Sequence, residues 1–95
     1  MEPEKLSPEA VKSRLHDLEG WRIEDGMLKK DFEFKDFSTA FQFMTKMASV
    51  AEQMNHHPDW SNSYNKVSIS LTTHSANGLT QNDFSFARAA DEAFS

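Results

Sequence analysis

Between residues 28 and 71 the apolar side chains change their spacing twice. Leu28, Phe32 and Phe34 share one parity with Lys30, while Lys29, Asp31, Glu33 and Lys35 take the other. A period of two describes a strand with one buried face and one charged, solvated face. From about Ser38 to Met54 the spacing becomes helical. Val67, Ile69 and Leu71 then alternate with Lys66, Ser68, Ser70 and Thr72, so the period returns to two. A chain patterned in this way must lay a helix against strands that are apolar on one side only.

The flanks extend the pattern. Ser7-Pro8 reads as N-cap and first helical position, with Glu9 in the first turn. Val11, Leu15 and Leu18 follow at helical spacing, and Gly20 marks a stop. Residues 1–6 read as a flexible polar lead-in, and His16 as a solvated surface side chain. Trp21 and Ile23 alternate with Arg22 and Glu24 up to Asp25-Gly26, a tight-turn dipeptide that closes a hairpin with the strand after it. Asn55 can end the central helix in a left-handed conformation, and Pro58 prevents its continuation. Trp60 to Tyr64 reads as a hairpin partner of the Val67 strand, with Asn65 in the turn and Tyr64 expected to pack. Thr80 with Asp83 three residues on forms a capping box that opens a last helix, whose inner stripe is Phe84, Ala87, Ala90 and Phe94.

The predicted order is therefore α-β-β-α-β-β-α in one domain spanning residues 1–95. The fold class is α+β: two layers, a four-stranded antiparallel sheet covered on one face by helices. The central helix carries more apolar surface than one small sheet covers. Phe37, Ala40, Phe41, Met44, Ala48 and Ala51 fall in one arc, with Phe43, Met47, Val50 and Met54 in a second stripe beside it. The second stripe is expected to face another copy of the chain.

Composition limits the partners. No run of hydrophobic residues exceeds two, which excludes a membrane-spanning helix and a secretory core. There is no cysteine, hence no disulfide framework, thiol nucleophile or thiolate metal cage. Ten Lys and Arg against fifteen Asp and Glu give a net charge of −5, which disfavours a surface that tracks nucleic-acid phosphates. These features predict a small acidic cytoplasmic protein.

Chemistry concentrates in three histidines. His56 and His57 stand where the central helix ends, and His74 ends the Val67 strand. An imidazole titrating near pH 6.5 can both give and take protons under physiological conditions. Glu52, four residues before His56, is expected beside it on the last helical turn. Trp60 and Tyr64 would suit a flat heteroaromatic ligand, or simply the core. A metal set of Glu52, His56 and His74 is a rival arrangement, weakened by the absence of an H-E-x-x-H motif.

The segment Glu52-Gln53-Met54-Asn55-His56-His57-Pro58-Asp59-Trp60 is joined by Tyr64-Asn65-Lys66-Val67, Thr73-His74, Gly78-Leu79-Thr80 and Asp83. Upstream lie Phe32-Glu33-Phe34-Lys35-Asp36-Phe37, Ala40-Phe41 and Phe43-Met44. Together they resemble the pterin-4a-carbinolamine dehydratase family, whose animal members also serve as dimerisation cofactors of a homeodomain transcription factor. The likeness runs from about Trp21 to Ala90.

The resemblance implies a metal-free dehydratase that takes water from 4a-hydroxytetrahydropterin to give quinonoid dihydropterin, regenerating the cofactor of aromatic amino acid hydroxylases. Pterin is then the substrate, and no cofactor is implied. By the same likeness His56, His57 and His74 are catalytic, while Glu52, Pro58, Trp60, Thr73 and Asp83 bind substrate or orient the histidines. Dimers or tetramers through the Ser38–Met54 helix and the sheet are implied, with a coactivator role extending the location to the nucleus. Two other readings stay open: a non-catalytic module that binds a protein partner, and a dehydratase for another pterin such as a molybdopterin-related molecule.

Overall fold

The computed structural model describes residues 3–95. Helix α1 (Pro8–His16) starts at the expected cap, where the Ser7 hydroxyl accepts the Ala10 N–H at 3.1 Å. It ends two residues before Leu18, and Gly20 turns the chain at φ +81°. Strands β1 (Arg22–Glu24) and β2 (Met27–Glu33) form the expected hairpin, Arg22 pairing with Lys29 and Glu24 with Met27. Helix α2 (Phe37–Met54) follows, then β3 (Asp59–Ser63), β4 (Lys66–Leu71), a 3₁₀ turn (His74–Ala76) and α3 (Gln81–Phe94). The antiparallel sheet has the order β1-β2-β4-β3, which leaves β1 and β3 as edges.

Leu28, Phe32, Val67, Ile69 and Leu71 point to the helical side and are almost fully buried. Lys30 shares their face, as its parity requires. Its Nζ resolves the conflict by reaching Asp91 Oδ1 at 2.9 Å and the Glu19 carbonyl at 2.9 Å, passing 4.9 Å from the Phe32 ring centroid. Asp91 also accepts the Trp21 indole N–H, so one carboxylate ties the first hairpin to the end of α3. Ile23 is exposed, because β1 is a short edge strand that the helices do not cover.

On α2 the second stripe, expected to face another copy of the chain, faces the core instead, and the first stripe is divided between core and surface. Phe43 and Met47 are buried in the core, with Val50 and Met54 packed against it, while Phe37, Phe41 and Ala48 are exposed. Phe43 sits 5.0 Å from both Phe32 and Phe34, so the large rings fill the space over the sheet. Ala40 and Ala51 border this stripe and are buried. In α3, Phe84, Phe86, Ala87 and Ala90 are buried, and Phe94 at the last turn keeps to the expected inner stripe, its ring 5.2 Å from Phe32 and 5.3 Å from Phe34 while one side stays exposed. Tyr64 departs from expectation. It occupies the tip of the β3–β4 turn at φ +51° and is 65% exposed, so it does not pack.

Of the lead-in expected to be flexible, Met1 and Glu2 lie outside the described residues. Leu6 is half-buried against the core, and its N–H donates to the Leu79 carbonyl at 2.8 Å. No helix among the described residues is long and apolar enough to cross a membrane.

Candidate active site

The end of α2 decides where the adjacent histidines go. Asn55 adopts φ 52°, ψ 44°, and the His56 N–H closes back on the Ala51 carbonyl at 3.0 Å. This left-handed cap reverses the chain. One histidine is turned inward and its neighbour is left outside, against the last helical turn.

His56 is the inward one. It is 8% exposed, and its Nε2 lies 2.6 Å from Asp83 Oδ1. Asp83 is fully buried in the first turn of α3, where the capping box holds it: its Oδ2 accepts the Thr80 N–H at 2.9 Å. The same oxygen accepts the Thr73 hydroxyl at 2.8 Å, and Thr73 lies 2.8 Å from the Thr80 hydroxyl. Since Thr73 donates to the carboxylate, Thr80 donates to Thr73. With both carboxylate oxygens acting as acceptors, Nε2 of His56 carries the proton of the bond to Asp83. Among the described residues no buried side-chain nitrogen or oxygen lacks a partner.

Glu52 was expected to face His56, but it faces His57. Its Oε2 is 2.6 Å from His57 Nε2, with both side chains mostly exposed. The left-handed residue between helix and histidines accounts for the exchange, because it moves His56 away from the helix surface. The two imidazoles therefore have separate carboxylates, one buried and one in solvent. The rival metal set loses its geometry for the same reason: Glu52 and His56 are held by different partners. Among the described residues no group of three His, Asp or Glu side chains is arranged to hold a metal ion.

His74 follows Thr73 directly, so the hydroxyl held by Asp83 fixes the backbone from which His74 projects. Residue 73 is pinned from a second side, its N–H donating to the Gly78 carbonyl at 3.1 Å and its carbonyl accepting the Gly78 N–H at 3.3 Å. The His74 side chain is exposed and lines a cleft of about 370 Å³ with residues of the β1–β2 turn. Its ring forms no hydrogen bond with His56 or His57 among the described residues. Asp83 thus joins the two histidine-bearing segments through His56 and Thr73, while the rings of His57 and His74 remain open to solvent.

Pro58 and Trp60 are half-buried where the chain enters β3. Trp60 pairs in register with Ile69 and packs against the core from the helical side of the edge strand. Sequence reasoning missed the Thr80 hydroxyl as a member of the buried network. Its position as N-cap of α3 was the available signal.

A family model described as pterin 4 alpha carbinolamine dehydratase matches residues 4–93. The chain belongs to this family. A relative from Sinorhizobium fredii, provisionally named a pterin-4-alpha-carbinolamine dehydratase, is 52% identical over 95 residues, covering 98% of this chain and 90% of its own. One from Rhizobium meliloti with the same provisional name is 50% identical, with 98% and 91% covered. Among solved structures, a transcriptional coactivator/pterin dehydratase from Brucella melitensis superposes with a TM-score of 0.94 at 40% identity, covering 97% of this chain and all of that one. A pterin dehydratase-like RuBisCO assembly factor of the alpha-carboxysome shares the fold alone, with a TM-score of 0.67 at 23% identity over 78% of this chain and 88% of its own. The α+β architecture expected from the pattern is that of the family.

Proposed function

We propose that the protein dehydrates a 4a-hydroxytetrahydropterin by histidine general acid and base catalysis, yielding quinonoid dihydropterin. The dehydration breaks the C–O bond at C4a, and the departing hydroxide takes a proton to leave as water. A ring nitrogen gives up a proton, and its electrons form the new C=N bond. Atoms and charge balance with one acid and one base. Each positioned proton transfer is typically worth about 10²–10⁴-fold.

The observation that carries this reading is the buried Asp83 carboxylate, which holds His56 and Thr73 at once. A carboxylate behind an imidazole sets its tautomer and orientation, leaving the other nitrogen for chemistry. His57 and His74 are the exposed imidazoles nearest in sequence to the two segments so joined. Glu52 orients His57, and Thr73 positions His74 through the backbone. Pro58 and Trp60 shape the wall behind the helix end. The physiological task would be recycling of the pterin used by aromatic amino acid hydroxylases, with the pterin as substrate and no bound cofactor or metal required.

A second copy of the chain is the proposed occupant of the outer flank of α2. Phe37 and Phe41 are 47% and 54% exposed, their rings 5.7 Å apart, beside a shallow groove of about 450 Å³ completed by Ser38, Gln42 and Thr45. Two neighbouring exposed phenylalanines on one helix are suited to self-association. The function is tested by stopped-flow decay of the ultraviolet absorbance of synthetic carbinolamine. The protein is expected to accelerate it strongly over buffer, and equal rates would refute the proposal.

A further inference from the structure

The residues leading into α1 lie against the segment that follows His74. The Leu6 side chain is half-buried against the core, and its backbone N–H donates to the Leu79 carbonyl at 2.8 Å. Lys5 crosses Gly78 so closely that a Cβ on residue 78 would stand 2.6 Å from the lysine Cε and 3.1 Å from its Cδ. The chain is tied down again just beyond this strap. The Ser7 hydroxyl caps α1, and Arg14 Nε on α1 donates to Gln81 Oε1 at 2.7 Å, on the first residue of α3.

What the strap touches gives it a chemical reach. The peptide group between Leu79 and Thr80 is bonded on both sides: its carbonyl accepts from Leu6, and its N–H donates to Asp83 Oδ2 at 2.9 Å. Hydrogen bonds on opposite sides of one peptide group polarise each other, so the Leu6 N–H strengthens the Thr80 donor. The other oxygen of that carboxylate holds His56 at 2.6 Å. Gly78, under Lys5, leads to the second histidine segment. It pairs with Thr73 in both directions, at 3.1 and 3.3 Å, and His74 is the next residue. Two adjacent residues before α1 thus bear on both histidine-bearing segments, one through Asp83 and one through Thr73.

We propose that Leu6 is a positioning residue for the catalytic histidines, anchoring a strap that holds residues 78–80 where Asp83 fixes His56 and Thr73 fixes His74. The catalytic consequence rests on the dehydratase reading above. A catalytic group misplaced by about 1 Å can cost about 10²-fold in rate, and release of the strap permits part of such a shift.

The test measures kcat and KM for dehydration of synthetic carbinolamine by the full chain, with thermal unfolding and backbone amide exchange read by NMR. Leu6→Ala removes the anchor, while Leu6→Met restores an apolar side chain of similar volume. An ester in place of the Lys5–Leu6 amide removes the N–H donor and leaves the side chain. Phe94→Ala is the comparison: at the opposite end of α3, its ring packs on Phe32 and Phe34, so its loss weakens the core away from the strap. Leu6→Ala and the ester should lower kcat and kcat/KM together by about tenfold, with faster exchange of the Thr73 and Thr80 N–H. Leu6→Met should keep near-native kcat, and Phe94→Ala should lower the unfolding temperature without lowering kcat. Unchanged kcat in Leu6→Ala, no recovery in Leu6→Met, or an equal loss of kcat in Phe94→Ala would overturn the proposal. Absence of turnover by the unaltered protein would contradict the dehydratase reading, and amide exchange then judges the strap. Faster exchange at Thr73 and Thr80 in Leu6→Ala supports its hold on the two segments, and unchanged exchange overturns it.

Discussion

Asp83 receives three donors, the His56 imidazole, the Thr73 hydroxyl and the Thr80 N–H, with no water-facing surface of its own. Removing it leaves all three without their acceptor inside the protein. Asp83→Ala is therefore expected to lower stability by about 3 kcal/mol in urea unfolding, within the range for breaking a buried, hydrogen-bonded charged group. Asp83→Asn keeps the volume but offers a donor where an acceptor is needed. It should retain the fold and alter the pH profile of turnover, a change that loss of packing alone would not produce. At this scale the sequence was informative where the signal was local. The Thr80–Asp83 spacing announced the capping box because the N-cap and third helical positions lie within one turn of each other. The pairing of Glu52 was misread because a single left-handed residue, Asn55, redirects the two side chains after it. Nothing in the order of residues records that Asp83, far along the chain, would take His56 instead.

Helix α2 shows what periodicity can and cannot decide. Its extent to within a residue of the expected Ser38–Met54, its Asn55 end and its two apolar stripes follow from side-chain spacing and capping chemistry, whereas the Asp36 cap at its start is supplied by the structure. Which stripe faces inward depends on the shape of the surface it meets. Phe32 and Phe34 on β2 accept the Phe43 ring, and that selection is tertiary. The flank left outside makes a prediction at the same scale: Phe41→Asp, at an exposed position, should retain the folded monomer and reduce the oligomer, as light scattering would report. An oligomer unaffected by Phe41→Asp would exclude this flank as the contact. The start of the helix has a pH signature. The Thr39 backbone N–H, 2.8 Å from Asp36 Oδ1, holds the Asp36 carboxyl below its ordinary value of 3.8. A carboxyl whose folded value is depressed stabilises the fold above the unfolded value and ceases to do so as pH falls through the folded one. The stability gap between the unaltered protein and Asp36→Ala should thus be constant near neutrality and shrink below pH 3.8. A gap that persists through acid would assign the effect to helix propensity and not to the charged cap.

For the molecule as a whole, the order of elements and the two-layer architecture were legible because β2, β4, α2 and α3 carry a clean period, while β3, with Trp60 its single apolar residue, was read from its place before the Val67 strand. The β1-β2-β4-β3 arrangement was less so, since a hairpin pattern states which strands are consecutive but not which hairpin edges meet. Lys30 illustrates the limit. By parity it belongs to the buried face, and only the fold supplies Asp91 as its partner. The candidate site has the same character: its histidines could be named from the sequence, but their division into one buried and two exposed rings comes from the packing of α2 against α3. The proposed acid and base catalysis rests on those exposed rings. Stopped-flow dehydration of synthetic carbinolamine by the unaltered protein, His57→Ala and His74→Ala, with thermal unfolding of each, is the direct measurement. The expected result is native-like unfolding and a loss in kcat of about 10²-fold or more for each variant. Near-normal turnover by both would contradict histidine acid and base catalysis here.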